Sequence, residues 1–100
     1  MAEQRRKVGG MIEPQPATDE VQGLIERVRA NVEESLGRKL AMFVARIYST
    51  QLVNGVNYFV KVDTGDGTFI HIRLHKSFQD EVSFAACQDA KTEEEPLSYF

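Results

Sequence analysis

The hydrophobic period of this chain changes once, near its middle, and does not change back. Val21, Leu24, Ile25, Val28, Val32 and Leu36 recur at steps of three or four, one stripe of an amphipathic helix. Beyond Gly37 the apolar residues instead alternate with polar ones, as in strands with one buried face. The later segments are joined by short turns, which excludes parallel crossovers and makes the sheet antiparallel. One apolar helix stripe and one apolar sheet face have a simple joint solution, the helix lying across the sheet. The lengths agree, because about twenty helical residues span ~30 Å and eight strand residues ~26 Å. The expectation is an α+β fold, one long helix over 18–37 packed across a four- to five-stranded antiparallel sheet.

Local signals set the boundaries. Thr18 can cap the helix, Asp19 and Glu20 suit its first turn, and Gly37 suits its end. Gly23 inside the helix costs about 1 kcal/mol relative to Ala and is read as a close approach to the sheet. The first strand covers 40–50, with Phe43, Ala45 and Ile47 towards the core. In the next, Val56, Tyr58, Val60 and Val62 oppose Asn57, Phe59, Lys61 and Asp63. After the turn Thr64-Gly65-Asp66-Gly67, Ile70, Ile72 and Leu74 oppose Phe69, His71, Arg73 and His75. Further strands are expected over 82–87 and, briefly, 97–100. Residues 1–17 read as an extended arm ahead of the helix.

With 100 residues there is room for one domain, 1–100. A hydrophobic share of 42% and a charged share of 27% argue against disorder throughout. A net charge of −3 disfavours nucleic acid as a partner. The longest unbroken apolar run, Leu40 to Ala45, is far short of the ~18 residues of a membrane span. No apolar run follows Arg5-Arg6-Lys7, so no signal peptide is read there. The lone Cys87 excludes an internal disulfide and favours a reducing, cytoplasmic setting.

Enzymatic chemistry finds little support. Cys87 lies in an apolar strand segment, where a cysteine behaves as a small hydrophobe. His71 and His75 share a strand face ~13 Å apart, too far for one metal ion. Both are read as surface or edge histidines, and no metal or cofactor is expected. The unusual feature is a turn, Gln51-Leu52-Val53-Asn54-Gly55. Asn-Gly is a strong hairpin signal, yet Leu52 and Val53 put apolar groups at a tip that is normally polar. Either the hairpin folds over onto a neighbour, or the tip is an exposed wedge for a partner's cleft. Phe78 repeats the pattern in the turn Lys76-Ser77-Phe78-Gln79-Asp80-Glu81. In a meander these two turns emerge at the same end of the sheet.

These residues carry a family resemblance that runs from Gly9 to Phe100. Gly9-Gly10, Pro16-Ala17-Thr18, the Gln51–Gly55 turn, the strand Asn57-Tyr58-Phe59-Val60-Lys61-Val62 and the Leu97–Phe100 ending are similar to those of the stefins. Stefins are the intracellular type 1 branch of the cystatins. The resemblance implies a curved antiparallel sheet wrapped around a long helix, and reversible inhibition of papain-like cysteine proteases of the cathepsin type. It implies an inhibitory edge of three parts. Val8, Gly9 and Gly10 belong to the N-terminal trunk, Gln51, Leu52, Val53, Asn54 and Gly55 to the first hairpin, and Phe78 and Gln79 to the second. Leu52 stands where the family has valine, Asn54 where it has alanine, and Phe78-Gln79 where it has Leu-Pro. The alternative reading is a non-inhibitory interaction module on a cystatin scaffold. A monomer is expected, with strand exchange through the first hairpin as a route to a dimer.

Overall fold

The structure is a computed structural model that describes residues 10–100. Its elements in chain order are β1 (Gln15–Pro16), α1 (Asp19–Arg27), α2 (Arg29–Leu36), β2 (Val44–Val53), β3 (Gly55–Asp63), β4 (Phe69–Lys76) and β5 (Val82–Lys91). The strands form one antiparallel sheet in the order β1-β2-β3-β4-β5. The expected α+β architecture holds, with differences in three places.

The first is the helix. Thr18 caps α1 as expected, its hydroxyl accepting from the Val21 N–H, and Gly37 ends α2 in the left-handed region at φ 78°. Between them the helix is divided at Val28, whose N–H bonds to the Ile25 carbonyl, a tighter 3₁₀-type turn. The division leaves the stripe intact, because Val21, Leu24, Ile25, Val28 and Val32 are all buried in the core. Gly23 makes no close approach to the sheet. It is exposed, and a Cβ there would meet open space.

The second is the strand count. The arm does not stay outside the sheet, since Gln15 and Pro16 pair with Tyr48 and Ile47 as an edge strand. Pro16 fits there because an edge strand need not donate on its outer side. Residues 97–100 form no strand. In β2 a register shift between Ala45 and Ile47 turns the strand over. Ala45 and Tyr48 therefore pack on the core, whereas Ile47, expected there, does not.

The third is the far face of the sheet. Val60, Val62, Ile70, Ile72 and Leu74 meet the helices, as the alternation predicts. Phe59, Lys61, Phe69 and His71, on the opposite face, are buried as well. The C-terminal segment covers them. Leu97 is buried, and the rings of Tyr99 and Phe100 lie 5.9 and 5.8 Å from that of Phe59. The Lys61 ammonium donates to the carbonyls of Thr92, Glu93 and Glu95 at 2.8, 2.6 and 2.6 Å. A buried cation needs such partners, and these three hold the segment as a strap. His71 is thus neither a surface nor an edge residue, being 1% exposed.

Candidate functional site

The strand registers bring the singled-out residues to one end of the sheet. Met11 bridges to Gln51, Gln51 pairs with Asn57, and Asn57 pairs with His75. This row marks the end of the sheet, and three chain segments project from it. The trunk runs along β2, with the Ile12 N–H donating to the Thr50 carbonyl at 2.9 Å and the Ser49 hydroxyl to the Ile12 carbonyl. Gly10 lies just before that contact, while Val8 and Gly9 fall outside the described residues. Next along the row is the β2–β3 hairpin, where Leu52 pairs with Val56 and Val53 with Gly55, leaving Asn54 at the tip. Then comes the β4–β5 loop.

Exposure bears on the first of the two alternatives for the apolar tip. Leu52 is 60% and Val53 38% exposed, so the hairpin does not fold over to bury them. Phe78 in the second loop is 68% exposed. Ile12 on the trunk is also exposed. Apolar groups standing out of three neighbouring segments are what a docking surface needs, and scattered single residues would not make one.

The loops are held from behind by polar contacts. Asn57 donates its amide to Gln51 Oε1 at 2.9 Å. His75 Nε2 lies 2.7 Å from the Asn54 carbonyl and donates to it. In the second loop the Ser77 hydroxyl accepts from the N–H groups of Gln79 and Glu81, and the Ser77 carbonyl from that of Asp80. Hydroxyl acceptance of this kind stabilises a tight turn without proline. Lys76 sits between Glu20 at 3.4 Å and Asp80 at 3.5 Å, and the Glu20 carboxylate foremost holds its ammonium above the ordinary lysine range.

Gly55 is where the first hairpin meets β4. Its φ is +99°, and a Cβ would lie 2.6 Å from the Lys76 carbonyl oxygen and 2.6 Å from His75 Nε2. Backbone cannot move aside as a side-chain end can. Gly55→Ala is therefore expected to lose about 2 kcal/mol of stability, from positive φ and the collision together. Urea unfolding measures it. An unchanged midpoint would mean the hairpin re-forms without touching β4.

Sequence reasoning reached Gly10, the Gln51–Gly55 hairpin, Phe78 and Gln79, and the fold gathers these at one end. It missed His75, because Asn54 lies 21 residues away in sequence and only the β3–β4 register joins them. Among the described residues no nucleophile and base are brought together. The Cys87 thiol lies on β5 against the Ser35 hydroxyl at 3.6 Å, and among the described residues no group of three acids, histidines or cysteines could hold a metal.

Comparison with known proteins bears on the whole chain. The family model for the cystatin domain matches residues 9–95. Cystatin-A of Mus musculus is 45% identical over 94 residues, covering 92% of this chain and 97% of that protein. Stefin-2 of Mus musculus is 36% identical over the full length of both. Leukocyte cysteine proteinase inhibitor 1 of Sus scrofa is 34% identical, again over the full length of both.

Proposed function

The chain belongs to the cystatin family as a stefin-type member, a family of cysteine protease inhibitors and not of enzymes, and we propose that it blocks papain-like, cathepsin-type proteases with the three-part edge at the end of its sheet. The observation that carries the reading is the exposure of Leu52, Val53 and Phe78 on two hairpins that leave the same end of the sheet, each braced from behind. In this reading the single domain 1–100 acts as a wedge. Leu52 and Val53 enter the cleft, Phe78 and Gln79 lie to one side, and Val8, Gly9 and Gly10 to the other. Asn54 is carried at the tip with its carbonyl turned back to His75.

The wedge inhibits without being cut. Cleavage needs a peptide carbonyl ~3–3.5 Å from the nucleophile in a reactive geometry. A hairpin that fills the cleft presents none there, and a trunk able to turn away at Gly9 would leave the nucleophile unreacted. Affinity then comes from burial, ~800 Å² per partner in a typical protease–inhibitor interface. Braced loops lose little freedom on binding, so more of that burial appears as affinity. The protein acts as a monomer in the cytoplasm, the setting favoured by its lone cysteine. Among the described residues no helix is long and apolar enough to cross a membrane.

Titration of papain with the recombinant chain tests the reading, and stoichiometric loss of peptidase activity is expected. A folded chain that leaves papain active at micromolar concentration would instead make this a non-inhibitory module on the same scaffold. Removing residues 1–10 is expected to weaken inhibition mostly through faster dissociation. Equal off-rates for the full-length and shortened chains would take the trunk out of the mechanism. Size-exclusion chromatography before and after mild heating separates a monomer from a strand-exchanged dimer.

A further inference from the structure

We propose that His75 is the positioning residue of the wedge, clamping the first hairpin to the strand that leads into the second loop; this rests on the inhibitory reading above. Two observations carry it. The imidazole Nε2 donates to the Asn54 carbonyl at 2.7 Å, and Asn54 is the single residue left unpaired between Val53 and Gly55. The ring also occupies the space that a side chain on Gly55 would take, since a Cβ there would lie 2.6 Å from Nε2 and 3.0 Å from Cε1. The glycine and the histidine therefore fit each other, and the tip is held both by contact and by a hydrogen bond.

The clamp matters because of where His75 stands. It pairs with Asn57 on β3 and Ser83 on β5, one residue before Lys76 and three before Phe78. Fixing Asn54 to this side chain fixes the separation of Leu52 and Val53 from Phe78. The ladder pairs Leu52–Val56 and Val53–Gly55 order the arms of the hairpin, and the His75 bond reaches the tip residue between them. Without the clamp each binding event would have to select one tip pose, and that ordering cost falls on the complex. A glutamine at the same position can donate from its amide over nearly the same reach, whereas alanine cannot.

The experiment compares the parent chain, His75→Ala and His75→Gln in two measurements. Backbone ¹⁵N relaxation of the unbound protein reports the order of Val53, Asn54 and Gly55. Progress curves with papain report association and dissociation. His75→Ala is expected to lower the tip order and to speed dissociation about tenfold, with association changed by less than about threefold. His75→Gln is expected to restore both. Unchanged tip order in His75→Ala would overturn the proposal, as would a loosened tip with an unchanged dissociation rate, or a glutamine variant as loose as alanine. A parent chain that leaves papain active would defeat the inhibitory reading instead, and the order measurement would still decide whether the clamp exists.

Discussion

Leu52→Asp is expected to weaken inhibition of papain by about 3–4 kcal/mol, more than a hundredfold in the inhibition constant. The same substitution is expected to leave the melting temperature within about 2 °C of the parent. The two expectations follow from one fact, that Leu52 is 60% exposed in the unbound chain. A side chain that buries little on folding contributes little to the fold. Placed in a cleft it would be buried on binding, and a carboxylate taken there without a partner carries its full desolvation cost. Val53→Asp should act in the same direction but cost more stability, because Val53 is only 38% exposed. Inhibition constants from progress curves, with thermal melts of the same samples, check both. A Leu52→Asp variant that inhibits like the parent would remove the first hairpin from the mechanism, and one that melts far lower would make the tip part of the core.

This tip was legible in the sequence because it breaks a rule. Hairpin tips are polar, and Leu52-Val53 before Asn54-Gly55 are not. Phe78 in an otherwise polar turn breaks the same rule. What the sequence could not supply was the brace behind them. His75 meets Asn54 only through pairing between β3 and β4, and no local pattern encodes that meeting. Histidine next to strand residues reads as an edge residue until the partner strand is placed.

The fold divides in a similar way. The apolar stripe of 18–37 placed the helical segment, but the division at Val28 carries no glycine or proline to announce it. β1 is two residues long and contains Pro16, too short for any alternation to be read. The covered far face had a visible signal. Phe59 and Phe69 sit among the positions assigned to solvent, and the chain ends on Leu97, Tyr99 and Phe100. Apolar residues on a supposed polar face and apolar residues at a terminus match each other. Lys61 and His71 on the same face disguised the match, since charged or titratable residues argue for solvent unless their partners are known.

His71 makes that far face sensitive to acid. Burial foremost, then the positive charges of Lys61 and Lys91, lower its pKa from 6.5 to about 4, with Glu95 opposing. Lys61 on β3 is its direct cross-strand partner, Lys91 and Gln88 lie on β5, and Glu95 lies in the strap. Its Nε2 finds no hydrogen-bond partner among the described residues. Between pH 6.5 and about 4 the unfolded chain binds a proton that the folded chain refuses, so stability falls as pH falls. The contribution is complete above that window and lost below it, about 3 kcal/mol in all, of which about 2 kcal/mol goes between pH 7 and pH 5. Asp66, held down to about 2 by hydrogen bonds from Thr68 and Thr64, acts only at lower pH and does not confuse the comparison. Urea unfolding at pH 7 and pH 5 should show this loss in the parent and a much smaller one in His71→Gln. Direct titration of the His71 ring by NMR gives a second check that does not depend on how the variant folds. A ring that titrates near 6.5 in the folded chain would mean that the strap admits water. A ring that stays neutral at pH 5 would mean that protonation there must add a second buried cation beside Lys61, and the three carbonyls on that ammonium are the contacts such repulsion would strain first.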